Sequence, residues 1–319
     1  MDDKPLISPV ISIVGTGALG KLYGGLLFLA GHQLHFLLRS EYTTIKHQGF
    51  YSLKFNELGK TYKINNPNIY LNPKELPVSD FVIVAVKTTE NKNLKSILAH
   101  TLKKETVIII IQNGIGNEEY FSTLFPDQTL LSTISYAAVT RRENALAEVF
   151  SLRSLSMALF NTIDNILFKR VQNLFLKELS PELLLCDNYK QMRWKKLIWN
   201  TPFCALSILF EKPTHVLASQ QAYCLIIQAI MHEMQAVAHT QGVIITDEEI
   251  NETILSSRAM KDYYPSMYWD YVNGRLIERE YIMDHVLAIA HQQHIKTPVL
   301  EKTLFDLNNK LQEKAQGPS

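Results

Sequence analysis

The segment Trp194-Lys195-Lys196-Leu197-Ile198-Trp199-Asn200 carries groups that could move a proton. On a helix Lys196, Asn200 and Cys204 are spaced four apart and share one face, while Lys195 points elsewhere. A lysine held beside a carbonyl can donate to the oxygen that gains charge when hydride adds to the carbon, which is general-acid and electrostatic assistance. Taken alone, the same segment also fits two solvated lysines on an amphipathic helix. Hydride chemistry needs a cofactor, and its signature stands near the start of the chain. Val10-Ile-Ser-Ile-Val14 reads as a buried strand, and Gly15-Thr16-Gly17-Ala18-Leu19-Gly20 as a turn that opens an apolar helix running from Leu22 to Ala30. In this dinucleotide fingerprint the first glycine makes the tight turn and the second admits a pyrophosphate. The third lets the helix lie close to the strand. The pyrophosphate would sit on the free N–H groups of the helix N-terminus.

The second strand, Leu34 to Leu38, ends at Arg39-Ser40. An acidic residue about 20 residues past the glycines accepts from the ribose 2′-hydroxyl of NAD, whereas an arginine suits a 2′-phosphate. Arg39 therefore points to NADP(H), with Glu41 two residues later leaving room for NAD. Two more strands follow. Asp80 to Val86 has Lys87 at its carboxyl end, and Thr106 to Ile111 runs into Gln112-Asn113-Gly114-Ile115-Gly116. Ligands of open α/β sheets bind outside the carboxyl ends of the strands, which places Lys87 and Asn113 at a cofactor or substrate.

These elements alternate with helical patterns, as around 89–102, and so predict a doubly wound parallel sheet. Beyond residue 125 the apolar runs 130–139, 147–151 and 154–160 extend the sheet in an order the sequence does not show. From 188 onward the pattern is helical, with periodic segments near 189–210, 216–242 and 274–294, then a polar helix and a frayed Gln316-Gly-Pro-Ser319 tail. The expected division is a Rossmann-type NADP-binding domain over 1–187 and an all-helical substrate or dimerisation domain over 188–319.

A chain of 319 residues with 46% apolar content exceeds one compact domain. Its net charge of +1 gives no reason to expect nucleic acid or an anionic membrane as partner. Small-molecule chemistry is the better expectation, and the long apolar helices could equally serve a homodimer interface. Three cysteines (Cys186, Cys204 and Cys224) without C-x-x-C spacing suggest neither a disulfide framework nor a zinc site, and fit a reducing cytoplasm. No run approaches the roughly 18 apolar residues of a membrane span, and no targeting segment is read at the start. His232 and His239 lack a patterned carboxylate, so no metal is expected. Tyr263-Tyr264-Pro265 with Tyr268, Trp269 and Tyr271 reads as packing or cleft wall.

The chain resembles the ketopantoate reductase family nearly end to end. The resemblance rests on Gly15 to Gly20, Leu38-Arg39, Val86-Lys87, Asn113-Gly-Ile-Gly116, Trp194-Lys-Lys-Leu197 with Asn200, and an acidic motif at Glu278. It implies NADPH-dependent reduction of 2-dehydropantoate to pantoate in pantothenate biosynthesis, with the active site in a cleft between the two domains. Carried over residue by residue, Lys196 is the catalytic general acid, and Glu278 the carboxylate that binds a substrate hydroxyl and influences that lysine. A carboxylate so placed would keep the lysine charged and aimed. Asn113 holds lysine and cofactor, Lys87 borders the cofactor, and Arg39 takes the 2′-phosphate. Asn200 and Ser266 contact substrate.

The chain departs from the family on the substrate side. Cys204 and Thr214 stand at substrate-binding positions where asparagines are usual, and the motif around Glu278 reads Ile277-Glu-Arg-Glu280 with Met283-Asp284. A pocket built to hydrogen-bond a hydroxyl rejects analogues that lack it, so these changes bear on which acid is accepted. The alternatives are a related enzyme for another 2-oxo acid and an NADP(H) sensor without turnover.

Overall fold

The computed structural model describes residues 8–160, 164–175 and 178–316. By their contacts they form two units: Met1–Gln112 with Asn117–Tyr189, and Asn113–Gly116 with Lys190–Ser319.

In the first unit, β1 (Ile11–Val14) leads into α1 (Ala18–Leu29), β2 (Leu34–Leu37) and α2 (Tyr42–Gln48). Then come β3 (Phe50–Phe55), β4 (Lys60–Asn65), β5 (Asn68–Tyr70) and β6 (Phe81–Val84), followed by a 3₁₀ turn at Thr88–Asn93 and the short α3 (Leu94–Leu98). β7 (Val107–Ile110), α4 (Asn117–Leu124), β8 (Thr129–Arg141), β9 (Leu146–Leu159), α5 (Asn165–Gln172) and β10 (Glu182–Leu185) complete it. The described strands make one sheet in the order β4-β3-β9-β8-β7-β6-β1-β2-β5, with β10 beside β9. β1 lies between β2 and β6 and is parallel to both. The chain leaves β1 toward β2 and β5 and returns on the other side at β6, a switch point that opens a crevice at the carboxyl end of β1.

The continuous apolar runs of β6 and β7 follow from burial on both faces. Phe81, Ile83, Val107 and Ile109 enter one apolar cluster, which α1 covers with Leu22 and Leu26. Val82, Val84, Ile108 and Ile110 enter the opposite one, with Leu94, Leu98 and Phe121 from α3 and α4. Alternation along a strand thus feeds two cores, and no position is left for a solvent-facing residue. Ser12 is the exception in β1; its hydroxyl lies buried, 2.8 Å from that of Ser79.

Several expected boundaries move. The runs 147–151 and 154–160 are one strand, β9, pairing antiparallel with β8 across two register shifts. Bulges interrupt the alternation there, so the sequence looks like two short strands. The helix expected near 89–102 is a 3₁₀ turn running into one and a half turns of α-helix. The antiparallel β3–β4 pair and the edge strands β5 and β10 are not among the expected strands, although β3 buries Tyr51, Leu53 and Phe55 in alternation.

The second unit is helical: α6 (Tyr189–Phe210), α7 (Thr214–Ser219), α8 (Gln221–Thr240), α9 (Asp247–Arg258), α10 (Ser266–Val272), a π-helical stretch at Glu280–Asp284 running into α11 (His285–Gln292), and α12 (Pro298–Gln316). The expected helix 216–242 is broken at Gln220, whose extended backbone ends α7 and begins α8. The expected helix 274–294 begins later, because 275–278 has no regular secondary structure. α9 starts with a reciprocal capping box between Thr246 and Glu249. One apolar cluster built from α6 and α8 with α9 to α12 forms the core. Of the expected frayed tail, Gln316 ends α12 and 317–319 lie outside the described residues.

Candidate active site

The glycine turn shows why three glycines stand where they do. Gly15 has φ +96°, and a Cβ on it would come within 2.4 Å of the Val86 nitrogen. That close approach brings the end of β6 against the turn. A Cβ on Gly20 would fall 1.9 Å from the Gly15 carbonyl oxygen, so only glycine lets the helix start this close to the strand. Gly17 differs: it caps α1 with ordinary extended backbone, and nothing lies within 4 Å of a Cβ placed on it. α1 has no side-chain cap and no acidic residue in its first turn. The result is an open cradle of helix N–H groups without a carboxylate to repel an anion, and Thr16, Ala18 and Leu19 remain partly exposed around it. These residues fit a dinucleotide pyrophosphate.

Around that cradle the Thr16 hydroxyl reaches the Leu37 carbonyl at 3.5 Å, tying the turn to the end of β2. Two residues on, Arg39 extends into solvent and pairs with Glu90 at 3.1 Å. Lys87, half-buried, begins the 3₁₀ turn that carries Glu90. Glu41 is already paired. Its carboxylate lies 2.5 Å from Lys21 Nζ, and Lys21 is 1% exposed. Burial lowers the lysine's pKa while Glu41 pulls it back up. Glu41, the residue that leaves room for NAD, is thus paired with Lys21. The signal for Lys21 was a lone charge inside an apolar helical run.

The remaining candidates lie in the second unit. Asn113 is half-buried and opens a loop in which Gly114 and Gly116 have φ +93° and +87°. A Cβ on Gly114 would meet the Tyr281 carbonyl at 2.4 Å. The loop is pinned: the Ile115 N–H donates to that carbonyl at 2.9 Å, and the Ile115 carbonyl lies 2.8 Å from His285 Nδ1. Arg193, 2% exposed, donates to the Gly114 carbonyl at 3.4 Å. The π-helical stretch frees carbonyls for such duties, since the Ile282 carbonyl likewise accepts from the Thr201 hydroxyl at 2.7 Å. Arg193, Tyr281 and His285 had no sequence signal beyond proximity to the motifs.

Helix α6 sorts its two lysines as the spacing predicts. Lys195 is exposed and bound to Glu249 at 2.6 Å. Lys196 is half-buried, its ammonium 5.6 Å from the centre of the Trp199 ring, which stacks on Phe203. Burial lowers its pKa to about 8, against a smaller upward pull from Cys204. Burial thus outweighs charge support, although the lysine remains mostly protonated near pH 7. Asn200 and Cys204 are 5% and 3% exposed on the same face. The Cys204 thiol is pushed up to about 12, by burial first, and it feels Lys196, Glu278 and Asp270. Pro202 between them removes one helix hydrogen bond.

Tyr263 closes the group. Burial, with a contribution from Cys204, raises it to about 12, and its carbonyl accepts from the Thr214 N–H at 2.8 Å. Thr214 is fully buried, its hydroxyl without a hydrogen-bond partner among the described residues. Glu278 is half-buried in the irregular segment before the π-helical stretch, where Arg279 pairs with Asp284. Cys204 thus interacts electrostatically with Lys196, Glu278 and Tyr263, and Thr214 bonds to the Tyr263 backbone, while Ser266 is exposed at the first residue of α10. Tyr264 and Tyr268 stack at 4.2 Å, with Trp269 edge-on to both. His232 lies 3.7 Å from Asp247, and no set of three metal-ligating groups occurs among the described residues. No helix among them is long and apolar enough to cross a membrane.

An α/β unit with a glycine cradle, followed by a helical unit that carries a half-buried lysine, defines a two-part protein of the kind that works on a small molecule with a nucleotide. The chain belongs to the ketopantoate reductase family: the model described as ketopantoate reductase PanE/ApbA matches residues 11–161, and that of its C-terminal part matches 188–312. It is an oxidoreductase with the family's mixed α/β and helical architecture. A 2-dehydropantoate 2-reductase of Nostoc sp. is 27% identical over 291 residues, covering 90% of each chain. The crystal structure of 2-dehydropantoate 2-reductase from Geobacter metallireducens superposes with a TM-score of 0.89 at 28% identity, over 94% of this chain and 99% of that one. A D-mandelate dehydrogenase in complex with NADH and anilino(oxo)acetate shares the fold, with a TM-score of 0.84 at 21% identity, over 95% and 98%.

Proposed function

We propose that the protein reduces 2-dehydropantoate to pantoate with NADPH, as a step of pantothenate biosynthesis in the reducing cytoplasm. The observation that carries this reading is Lys196, a half-buried lysine beside the Trp199 ring whose pKa desolvation lowers to about 8. A proton donor works best when its pKa lies close to the operating pH, and burial achieves that here. The bound cofactor supplies hydride to the 2-oxo carbon. The chain's own residues do the rest. The N–H groups opened by Gly17 hold the pyrophosphate, Arg39 takes the 2′-phosphate, and Lys87 borders the cofactor. Lys196 gives its proton to the oxygen that becomes the hydroxyl, with Asn113 positioning it. Glu278 accepts from the substrate hydroxyl, while Asn200, Cys204, Thr214 and Ser266 contact the acid.

A second reading keeps the chemistry and changes the substrate. Cys204 presents a thiol that stays neutral and bonds weakly to a hydroxyl, and Thr214 is fully buried. A 2-oxo acid lacking the hydroxyl of ketopantoate fits that side better. Loss of reduced-nicotinamide absorbance with ketopantoate and with branched and aryl 2-oxo acids, each with NADPH and NADH, tests both readings. Turnover fastest with ketopantoate upholds the first. Turnover with another acid alone moves the answer to the second, and cofactor binding with no turnover leaves a sensor.

A further inference from the structure

We propose that Glu90 is a cofactor-selecting residue that competes with a ribose 2′-phosphate for the Arg39 guanidinium, so that the site discriminates only weakly between 2′-phosphorylated and 2′-hydroxyl cofactors. This rests on the reading that the glycine turn holds a nicotinamide dinucleotide.

The fold brings the two residues together. β2 and β6 flank β1 in parallel, so their carboxyl ends and the glycine turn meet at one corner of the sheet. Arg39 lies two residues beyond β2, and Glu90 on the 3₁₀ turn that follows β6. The arginine side chain is 83% exposed and the glutamate 29%, and they meet at 3.1 Å. Glu90 is also held from its own turn, because its other oxygen accepts from Asn93 Nδ2 at 3.3 Å. The carboxylate is held from two sides, and the guanidinium is the exposed arm.

The neighbouring carboxylate, Glu41, is already matched. Glu41 has Lys21 at 2.5 Å and Arg141 at 3.9 Å, and Arg141 donates to the Ser40 hydroxyl at 2.9 Å. Drawing Arg39 onto a phosphate therefore strips Glu90 of its cation and leaves two anions sharing one guanidinium. A 2′-hydroxyl makes the opposite demand, since it donates and Glu90 can accept. The pair thus offers its arginine to one cofactor and its carboxylate to the other.

Glu90→Gln separates these effects because it removes the charge, keeps the shape and lies on an exposed turn. Titration calorimetry of the whole protein with 2′,5′-ADP and with 5′-ADP reads binding without turnover. An exposed ion pair plus a screened like charge corresponds to about 3- to 10-fold. The expected result is that Glu90→Gln tightens 2′,5′-ADP by about that factor and changes 5′-ADP by less than about twofold. In an Arg39→Ala background the gain disappears. An unchanged affinity for 2′,5′-ADP, an equal gain for both nucleotides, or a gain that survives without Arg39 overturns the proposal. Wild-type protein that binds neither nucleotide overturns the dinucleotide reading and this inference with it.

Discussion

Lys196 should impose an alkaline limit on both catalysis and stability. Its folded-state pKa of about 8 lies below the free-lysine value of 10.5. That gap corresponds to roughly 3 kcal/mol paid to keep a cation buried. Because the folded value is the lower one, the unfolded chain holds more protons between pH 8 and 10.5. The penalty is present in full below pH 8 and is relieved as pH rises through that window. Lys196→Met keeps the length and apolar contacts of the side chain and removes the charge. Urea unfolding of both proteins should show wild type gaining about 2 kcal/mol relative to the variant between pH 7 and 9.5. Groups that titrate alike in both proteins cancel in the difference. In the reduction assay kcat/KM should fall with unit slope above about pH 8, and Lys196→Met should lose about 10²- to 10⁴-fold. A stability difference that stays flat with pH, or a wild-type profile level to pH 10, refutes the argument that burial sets this lysine's charge.

Gly17→Ala has open space and an ordinary backbone, so it should retain wild-type thermal stability while losing about tenfold or more in dinucleotide affinity; Gly20→Ala, blocked by the Gly15 carbonyl, should cost about 2–4 kcal/mol in denaturant unfolding. Lys21→Met leaves Glu41 facing a buried methyl and should destabilise by about 2–4 kcal/mol, and adding Glu41→Leu should recover most of that loss. Under native conditions near pH 8 an alkylating reagent should modify Cys186 and Cys224, which are partly exposed, well before Cys204, and mass spectrometry of the peptides gives the order.

Much of the fold was legible because its signals are local. The run Val10 to Gly20 read as strand, turn and helix, since burial on both faces demands apolar residues throughout and the turn's backbone demands glycine. The separation of Lys195 from Lys196 was legible too, because helical geometry alone puts neighbours on different faces. What failed depended on partners far along the chain. β9 looked like two strands because its bulges are set by pairing with β8. β3 joins the sheet beside β9, almost a hundred residues away in sequence, through backbone hydrogen bonds that leave no residue signature.

The sequence by itself determined the chemistry on offer: a glycine cradle for a phosphate, an arginine after the second strand, and a lysine one helical turn before an asparagine and two before a cysteine. Only the tertiary structure decided the states of those groups. Lys196 titrates near 8 because the side chains packed around it displace water. Glu41 is paired because a lysine on another helix claims it, and Arg39 is engaged because a turn from another strand brings Glu90 to it. Residue type fixes what a side chain can do, whereas charge and reach depend on solvent exclusion and on neighbours that come close only when the chain has folded.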